Sequence, residues 1–586
     1  MGIRGLTSTL KPFASRSELR GRVVIDGPAL AYHILHICRV SLASSTALEE
    51  PPYSVLGSTA IQWLDGLHDC GIEVAAIYFD GYLPAFKKEE RLDRIYQSSS
   101  VSSNYFSSTS SGIPTASKSR SSSQTLASRN NARQLPIPAF IVPAILDALR
   151  PSEKYGHLIH LVPGEADSFC ADDVKTKGGT VITSDSDLLL YDLGSSGSVV
   201  FLSDLDTPAD GVKGMTALTY SQSVLCDKLS LDPGQPGMLS FAFELKMDPY
   251  RTLASWVSRS KRQHSATTHA SEYTEFVSQY LNSPGATLTV PEHIRLLDPR
   301  ISEFVLGWTG NAAFETLVPN TVPTESAVLY LPSLLDRWDQ ASAWNPSTTI
   351  RQLAYSFCRG KQDTRSMIVE YRRTLSRTSK GQVVELLEDA QAKEVLAELL
   401  SLCMKAIKKT TGPSQLQWVV LCLCQEVRHA ADQGNESLAV KLWRKASKSK
   451  GHLDPGNWDA MHLAGQIQGT LYSLRILHQV LRCQIGYLVT SAGLGGQVAK
   501  LMAYLSTLPP ISEFPLGPDM RTLFGRLQQA GMLDSLADMA GISGPFAFNE
   551  PGRRSKGKQQ TGRQEKGETK ARSSTNPFDI LGENGG

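Results

Sequence analysis

The chain has 586 residues, 41% hydrophobic and 20% charged, with a formal net charge of only +2. That is an ordinary globular composition, sufficient for a sizeable core and two or three domains. So small a net charge excludes reading partners from the total, although local basic patches can still meet an anionic ligand.

The nine cysteines are scattered without a C-x-x-C pair, which excludes a disulfide framework or a zinc site and fits a reducing compartment. The start, MGIRGLTSTLKPF, lacks the apolar stretch of a signal peptide. Trp418 to Cys424, the longest apolar run, is far short of the ~20 residues of a membrane span. Leu6 stands where a myristoylation signal wants Ser or Thr. A soluble intracellular protein with no membrane contact is expected.

In chain order, RVVID predicts a buried strand ending at Asp26, followed by a helix over ALAYHILHICRV. Residues 55–70 place Ile61, Leu64 and Leu67 on one helical face, with Gly71 as a cap. VAAIYFD, HLIHLV and TVITS predict three further strands, with a helix over EADSFCADDVKTK between the last two. Strands alternating with helices give a parallel sheet sandwiched by helices, and ligands bind outside the carboxyl ends of such strands. In residues 97–129, 15 of 33 are Ser, a composition that predicts a flexible loop. Ser258 to Ala270 reads as part of a linker. From about residue 295 the chain is expected to be mostly helical, without a fixed repeat period. Residues 549–586 lose hydrophobicity and gain Arg553, Arg554, Lys556 and Lys558 among other cations, before a small apolar island, NPFDIL.

Acidic residues recur where these strands end. Asp26 and Asp80 close the first two; Glu165 and Asp167 lie in PGEAD, Asp185 and Asp187 in TSDSD, and Asp248 follows MLSFAFELKM. Any one of them alone is better read as a turn or helix-cap residue. Recurrence after every expected strand is not explained that way, and close acidic doublets repel unless a cation lies between them. Hard oxygen ligands with no His or Cys nearby point to magnesium or manganese, and such ions on a nucleic-acid backbone mean phosphodiester hydrolysis. His33 and His36, three apart on the first helix, read as core or surface residues rather than ligands.

MGIRGL, VVIDGPAL, YFDG, PGEAD and TSDSDLLLYD together resemble the structure-specific 5′ nucleases of the flap-endonuclease/XPG superfamily, which have a PIN-like fold. Within it the chain is most similar to the Asteroid branch, through MGIRGL, the truncated middle loop, the helical second half and NPFDIL after a basic tail. The superfamily motifs cover about residues 1–250. The resemblance implies an N-terminal nuclease part over 1–96, a Ser-rich arch or loop over 97–134, and an internal nuclease part over 135–257. A linker over 258–294, a helical Asteroid-type domain over 295–548 and a basic disordered tail over 549–586 would follow.

The same resemblance implies roles. Asp26, Asp80, Glu165 and Asp167 would hold one Mg2+ (or Mn2+), with Asp185, Asp187 and Asp248 holding a second. Gly2 would lie near the active centre, and Lys87 and Arg94 would be the catalytic cations that polarise the scissile phosphate. Lys88 and Arg91, otherwise a solvated helix face, would meet nucleic acid. So would Arg553, Arg554, Lys556 and Lys558, which could equally form a nuclear import signal or a solvated tail. The expected function is metal-dependent cleavage of branched or single-stranded DNA by a two-metal mechanism, in the nucleus rather than the cytoplasm. The alternatives are a weak or inactive scaffold on the same fold, and an RNA-directed nuclease. A protein partner would use the helical second half or NPFDIL.

The chain also departs from the family pattern. Asp167 stands where flap endonucleases carry Glu, and Lys246-Met247 replaces the Gly-Ser that lets a duplex backbone approach closely. In the arch, Lys118, Arg120 and Arg129 are the only cations between residues 97 and 129.

Overall fold

The computed structural model describes residues 2–42, 50–83, 87–109, 136–206, 214–281, 292–309, 327–359, 363, 365–374, 381–409, 414–448, 457–483, 493–529 and 536–540. The four expected strands are the middle of a seven-stranded sheet. Its members are β1 (Ser15–Leu19), β2 (Gly21–Asp26), β3 (Ile72–Asp80), β4 (Ile159–Val162), β5 (Thr180–Thr183), β6 (Ser198–Leu205) and β7 (Met215–Tyr220). They lie in the order β1-β7-β6-β5-β2-β3-β4. From β6 to β4 every pairing is parallel, while β7 pairs antiparallel with β6 and with β1.

Strand alternation explains why the sheet is covered on both faces. Val23 and Ile25 of β2 join one apolar core and Val24 the opposite one. Ile77 and Phe79 of β3 likewise face the first core, and Ala76 the second. Helices Gly27–Leu42, Tyr53–Asp69 and Ile141–Leu149 cover the first face; Ala166–Lys177, Gln222–Leu229 and Gln235–Met247 cover the second. The Tyr53 helix ends next to Gly71, whose φ of 77° is the left-handed conformation that closes a helix. Chain order reverses between β2 and β5, so the switch point of the sheet opens between Asp26 and the residues after Thr183.

The second half is mostly helical, as expected, but three expectations about organisation need correction. The Ser-rich segment is helical as far as Thr109, because Lys88–Thr109 forms one helix. Serine there is small enough for close packing: Ser99, Ser102 and Tyr105 are buried, and Tyr105 and Phe106 meet the Trp458 ring edge-on. Residues 110–135, with Lys118, Arg120 and Arg129, lie outside the described residues.

The stretch read as a linker holds helices Leu253–Lys261, His264–Thr268 and Ala270–Leu281, whose Trp256, Phe276 and Tyr280 fill the second core. Those apolar aromatic contacts outweigh the polar residues between them.

The helical second half also contains a three-stranded sheet, β8 (Ala327–Tyr330), β9 (Met367–Tyr371) and β10 (Gln382–Glu385), in the order β10-β9-β8. Nor does a core boundary fall at residue 295, since Met1–Ile542 is one compact unit. Phe140 stacks on Tyr472 with ring centroids 4.5 Å apart, and Arg475 grips both Asp147 (2.6 Å) and Asp298 (2.7 Å). The helical layer on the first face of the seven-stranded sheet is therefore itself packed against the second half of the chain. Arg553, Arg554, Lys556, Lys558 and NPFDIL lie outside the described residues.

Candidate metal centre

Six of the seven expected acids gather around the switch point. Asp26, the last residue of β2, is buried and accepts hydrogen bonds from the Ala29 N–H (3.2 Å) and from Thr183 Oγ1 (2.7 Å). Asp80 ends β3 and accepts from the Ala166 N–H at 2.7 Å, across the start of the Ala166 helix. Glu165 is the N-cap of that helix and Asp167 lies in its first turn. Asp185 caps the short 3-10 turn Ser186–Leu189, accepting from the Asp187 N–H at 3.0 Å.

The N-terminus closes the ring. Gly2 N–H donates to Asp185 Oδ1 at 2.9 Å and Ile3 N–H to Asp187 Oδ1 at 3.1 Å. A Cβ on Gly2 would meet Ser186 Oγ and one oxygen of each of Asp185 and Asp187, so a larger residue there would have to push these side chains aside.

Electrostatics shows how close these groups are. Burial, and then the charge of Asp185, push the Asp26 carboxyl up to about 6. Asp80 rises to about 6 through burial, with Asp26 adding to it. Asp187 rises to about 6 through burial and Asp185. Asp167 is held well above the usual range by burial and then by Asp26, Asp185, Glu165 and Asp80. Glu165 is raised by burial and partly restored by Lys87. Carboxylates that raise one another are poised to take up cations.

Among the described residues, however, no three His, Cys, Asp or Glu side chains converge tightly enough to grip one ion as they stand. The acids share a field rather than a coordination sphere. All but Asp167 turn toward N–H, O–H or ammonium donors, the expected arrangement for repelling carboxylates. The all-oxygen donor set suits magnesium or manganese, and side-chain rotation would have to bring the oxygens together.

The flanking cations are placed unequally. Lys87 Nζ reaches Glu165 at 3.2 Å and Glu90 at 3.8 Å; burial would lower its pKa, but these acids raise it. Arg94 is paired with Glu90 and half exposed, close enough to lower the Asp80 pKa. Lys88 sits 5.6 Å from the Tyr371 ring centroid.

Arg91 departs from the expected nucleic-acid surface. It is paired with Glu303 and lies 4.2 Å over the Tyr330 ring, and burial pulls its pKa down to about 10. A helical face that looks solvated in sequence is here covered by the second half of the chain.

Asp248 is not brought into the group. It caps the end of the Gln235–Met247 helix, where Arg251 takes its carboxylate at 2.7 Å and the Tyr250 N–H donates at 3.4 Å. Its backbone carbonyl accepts from Trp256 Nε1 at 2.9 Å. With Lys246-Met247 in place of small residues, the helix runs up to Asp248 and leaves it beside Arg251.

Sequence reasoning missed two groups. Thr183 bridges the switch point, donating to Asp26 and accepting from the Asp185 N–H at 2.9 Å. Tyr280, in the segment read as linker, lies close enough to Asp187 to feel its charge; burial first, and that acid second, raise its phenol. The threonine could have been found from TVITSDSD as the last inward residue of a strand. Nothing local marks Tyr280.

A mostly parallel sheet flanked by helices, with acids gathered at its switch point, defines a ligand-binding α/β class with a PIN-like arrangement. Residues 137–386 match the family described as XPG domain containing, which supports a place in the XPG-like nuclease superfamily. The match takes in Glu165, Asp167, Asp185, Asp187 and Asp248, begins after Asp26 and Asp80, and continues through the three-stranded sheet. No curated protein matches the chain. The family implies nucleic-acid binding and divalent-metal chemistry in general terms. Among the described residues no helix is long and apolar enough to cross a membrane.

Proposed function

We propose that the chain is a divalent-metal-dependent nuclease of the Asteroid branch that hydrolyses phosphodiesters in branched or single-stranded DNA, in the nucleus. The observation that carries this reading is the set of carboxylates at the switch point, Asp26 buried and Asp80, Glu165, Asp167, Asp185 and Asp187 half-buried around it, with the pKa values of Asp26, Asp80, Asp167 and Asp187 pushed up by neighbouring acids as well as by burial. So much repulsion serves no structural purpose that hydrophobic residues would not serve better.

Asp26, Asp80, Glu165 and Asp167 would hold one Mg2+ or Mn2+, and Asp185 and Asp187 a second. Bound there, such ions supply an activated water and charge stabilisation for in-line displacement at phosphorus. Thr183, Gly2 and Ile3 hold the carboxylates Asp26, Asp185 and Asp187 in place. Lys87, at the mouth beside Glu165, would turn to the scissile phosphate, and Arg94 would offset its charge. The site is proposed without Asp248.

The test is a cleavage panel over flap, splayed-arm, gapped and single-stranded DNA and RNA, with and without magnesium. Magnesium-dependent cutting that disappears in Asp185→Ala/Asp187→Ala is expected. Equal cutting by that double variant would overturn the reading. Preference for RNA would select the RNA-directed variant of the same chemistry.

One observation favours a second reading, a non-cleaving scaffold that binds nucleic acid or protein. Asp248 is engaged by Arg251 rather than by the acidic ring. Binding that persists without magnesium, together with no heat of magnesium binding by calorimetry, would select it.

A further inference from the structure

Asp248, which the acidic ring leaves out, organises a turn of its own. Its carboxylate takes Arg251 Nε at 2.7 Å and the Tyr250 N–H at 3.4 Å, and its backbone carbonyl takes Trp256 Nε1 at 2.9 Å. The turn between the Gln235–Met247 and Leu253–Lys261 helices is thereby tied to the core that Trp256 fills. What it carries outward is Tyr250. At 93% exposure this is the most exposed large hydrophobic residue among those described. Its ring makes no hydrogen bond, ring contact or cation–π contact among the described residues. Met247, at the end of the first helix, is exposed as well.

A single exposed hydrophobic residue is common on protein surfaces and needs no explanation by itself. Its charged setting separates this one. Residues 246–262 hold five cations, Lys246, Arg251, Arg259, Lys261 and Arg262, against one acid, Asp248, whereas the whole chain is only +2. Arg251 and Arg259 are taken by Asp248 and Glu244. Lys246, Lys261 and Arg262 are exposed and form no ion pair among the described residues. Single-strand recognition needs both of these parts: an aromatic face on which a base stacks, and cations for the phosphates. One tyrosine and one methionine are too little apolar surface for protein docking. Duplex DNA keeps its base faces stacked on one another and has none to offer along its length.

The turn is also continuous with the acidic ring. Lys246 Nζ lies 5.1 Å from the centroid of the Phe276 ring, and that ring lies 5.1 Å from the ring of Tyr280, which sits beside Asp187. Two aromatic side chains therefore separate Lys246 from the acids, so one strand can meet both. The contacts to Asp248 fix the turn before any ligand arrives, which lowers the ordering cost of binding there.

We propose that Tyr250 is a stacking platform for an unpaired base of single-stranded DNA, with Lys246 taking an adjoining phosphate and Asp248 holding the platform in position. This rests on the cleavage reading for the class of ligand and deepens it, by naming the residues that hold an unpaired strand. The platform needs no metal ion. Binding measured in EDTA can therefore fail without the cleavage reading failing, and the reverse.

The test is fluorescence anisotropy of labelled oligo(dT) and of a blunt DNA duplex, with the full chain in EDTA. Tyr250→Ala is expected to weaken oligo(dT) binding by about fivefold or more, at an unchanged melting temperature because the side chain is exposed. Duplex binding should change less than about twofold, since no base face is lost to it. Tyr250→Phe keeps the ring and should bind oligo(dT) within about twofold of wild type. Lys246→Ala should make the salt dependence of oligo(dT) binding shallower by about 0.7, the value for one phosphate of a single strand. The loss in Tyr250→Ala should recur in the Asp185→Ala/Asp187→Ala background, whatever that background does to cleavage. No oligo(dT) binding by the wild type, undiminished binding by Tyr250→Ala, an equal loss on the duplex, no recovery in Tyr250→Phe, or an unchanged salt slope in Lys246→Ala would each overturn the proposal. So would Tyr250-dependent binding to phosphatidylserine vesicles, or Tyr250-dependent dimerisation in sedimentation, in place of an effect on oligo(dT).

Discussion

Thr183 Oγ1 donates to Asp26 Oδ2 at 2.7 Å, joining the ends of two parallel strands at the point where the sheet changes direction. The same hydroxyl accepts from the Asp185 N–H, so one side chain sets the spacing of two acids from different parts of the chain. Thr183→Val keeps the shape and removes both bonds. It is expected to cost about 1–3 kcal/mol in chemical denaturation. Magnesium affinity should fall roughly 10–100-fold by calorimetry, as for other groups that orient metal ligands. Thr183→Ser should restore most of both.

Among the described residues Asp167 accepts no hydrogen bond that would offset its burial, and four neighbouring carboxylates raise its pKa. Asp167→Asn removes a repelled charge while keeping the shape. In EDTA the variant is expected to be more stable than wild type by about 0.5–2 kcal/mol. Magnesium at 100 times its dissociation constant should stabilise wild type by about 2.7 kcal/mol, and the variant much less. Thermal unfolding with and without magnesium reads both effects. A variant less stable than wild type in EDTA would show that the acid is held by contacts rather than strained by them.

The parts of this site that sequence reveals are those fixed by local rules. Asp26, Asp80, Glu165, Asp167, Asp185 and Asp187 each follow a continuous apolar run, and parallel strands put the ends of such runs on one edge. β1, by contrast, is SRSEL, an exposed edge strand whose only buried residue is Leu19, so it has no buried run to find. The helix through Ser99 and Ser102 escaped because its packing partner, Trp458, is more than 300 residues away. Tyr280 reaches Asp187 for the same reason, through tertiary packing that no period encodes. Asp248 shows the converse: a carboxylate after an apolar run, but the run is a helix and the acid pairs with Arg251.

Glu370 gives the pH dependence its sign. Despite burial, which would raise it, Arg351 and Arg372 hold its carboxyl down to about 2. A depressed folded-state value contributes stability above the unfolded value, near 4.3, and loses it as pH falls toward 2. Stability from urea titrations should therefore decline between about pH 4.5 and 2 in wild type. Glu370→Gln leaves two guanidinium groups buried without their acid, which should cost about 3–5 kcal/mol at pH 7. Its stability should also decline less over the same acid range.

Arg91 separates structural cations from those available to nucleic acid. Its guanidinium is buried between Glu303 and the face of Tyr330, tying the Lys88 helix to the second half of the chain. Arg91→Ala leaves Glu303, itself largely buried, without its partner. A loss of about 3–5 kcal/mol is expected. Binding of single-stranded DNA by the folded protein should be unchanged, with the same salt slope, because Arg91 neutralises no phosphate. Lys88→Ala should do the opposite, leaving stability within about 0.5 kcal/mol of wild type and reducing the salt slope by about 1. Fluorescence anisotropy over a salt series, alongside urea unfolding, distinguishes the two. A shallower salt slope for Arg91→Ala at unchanged stability would return Arg91 to the nucleic-acid surface.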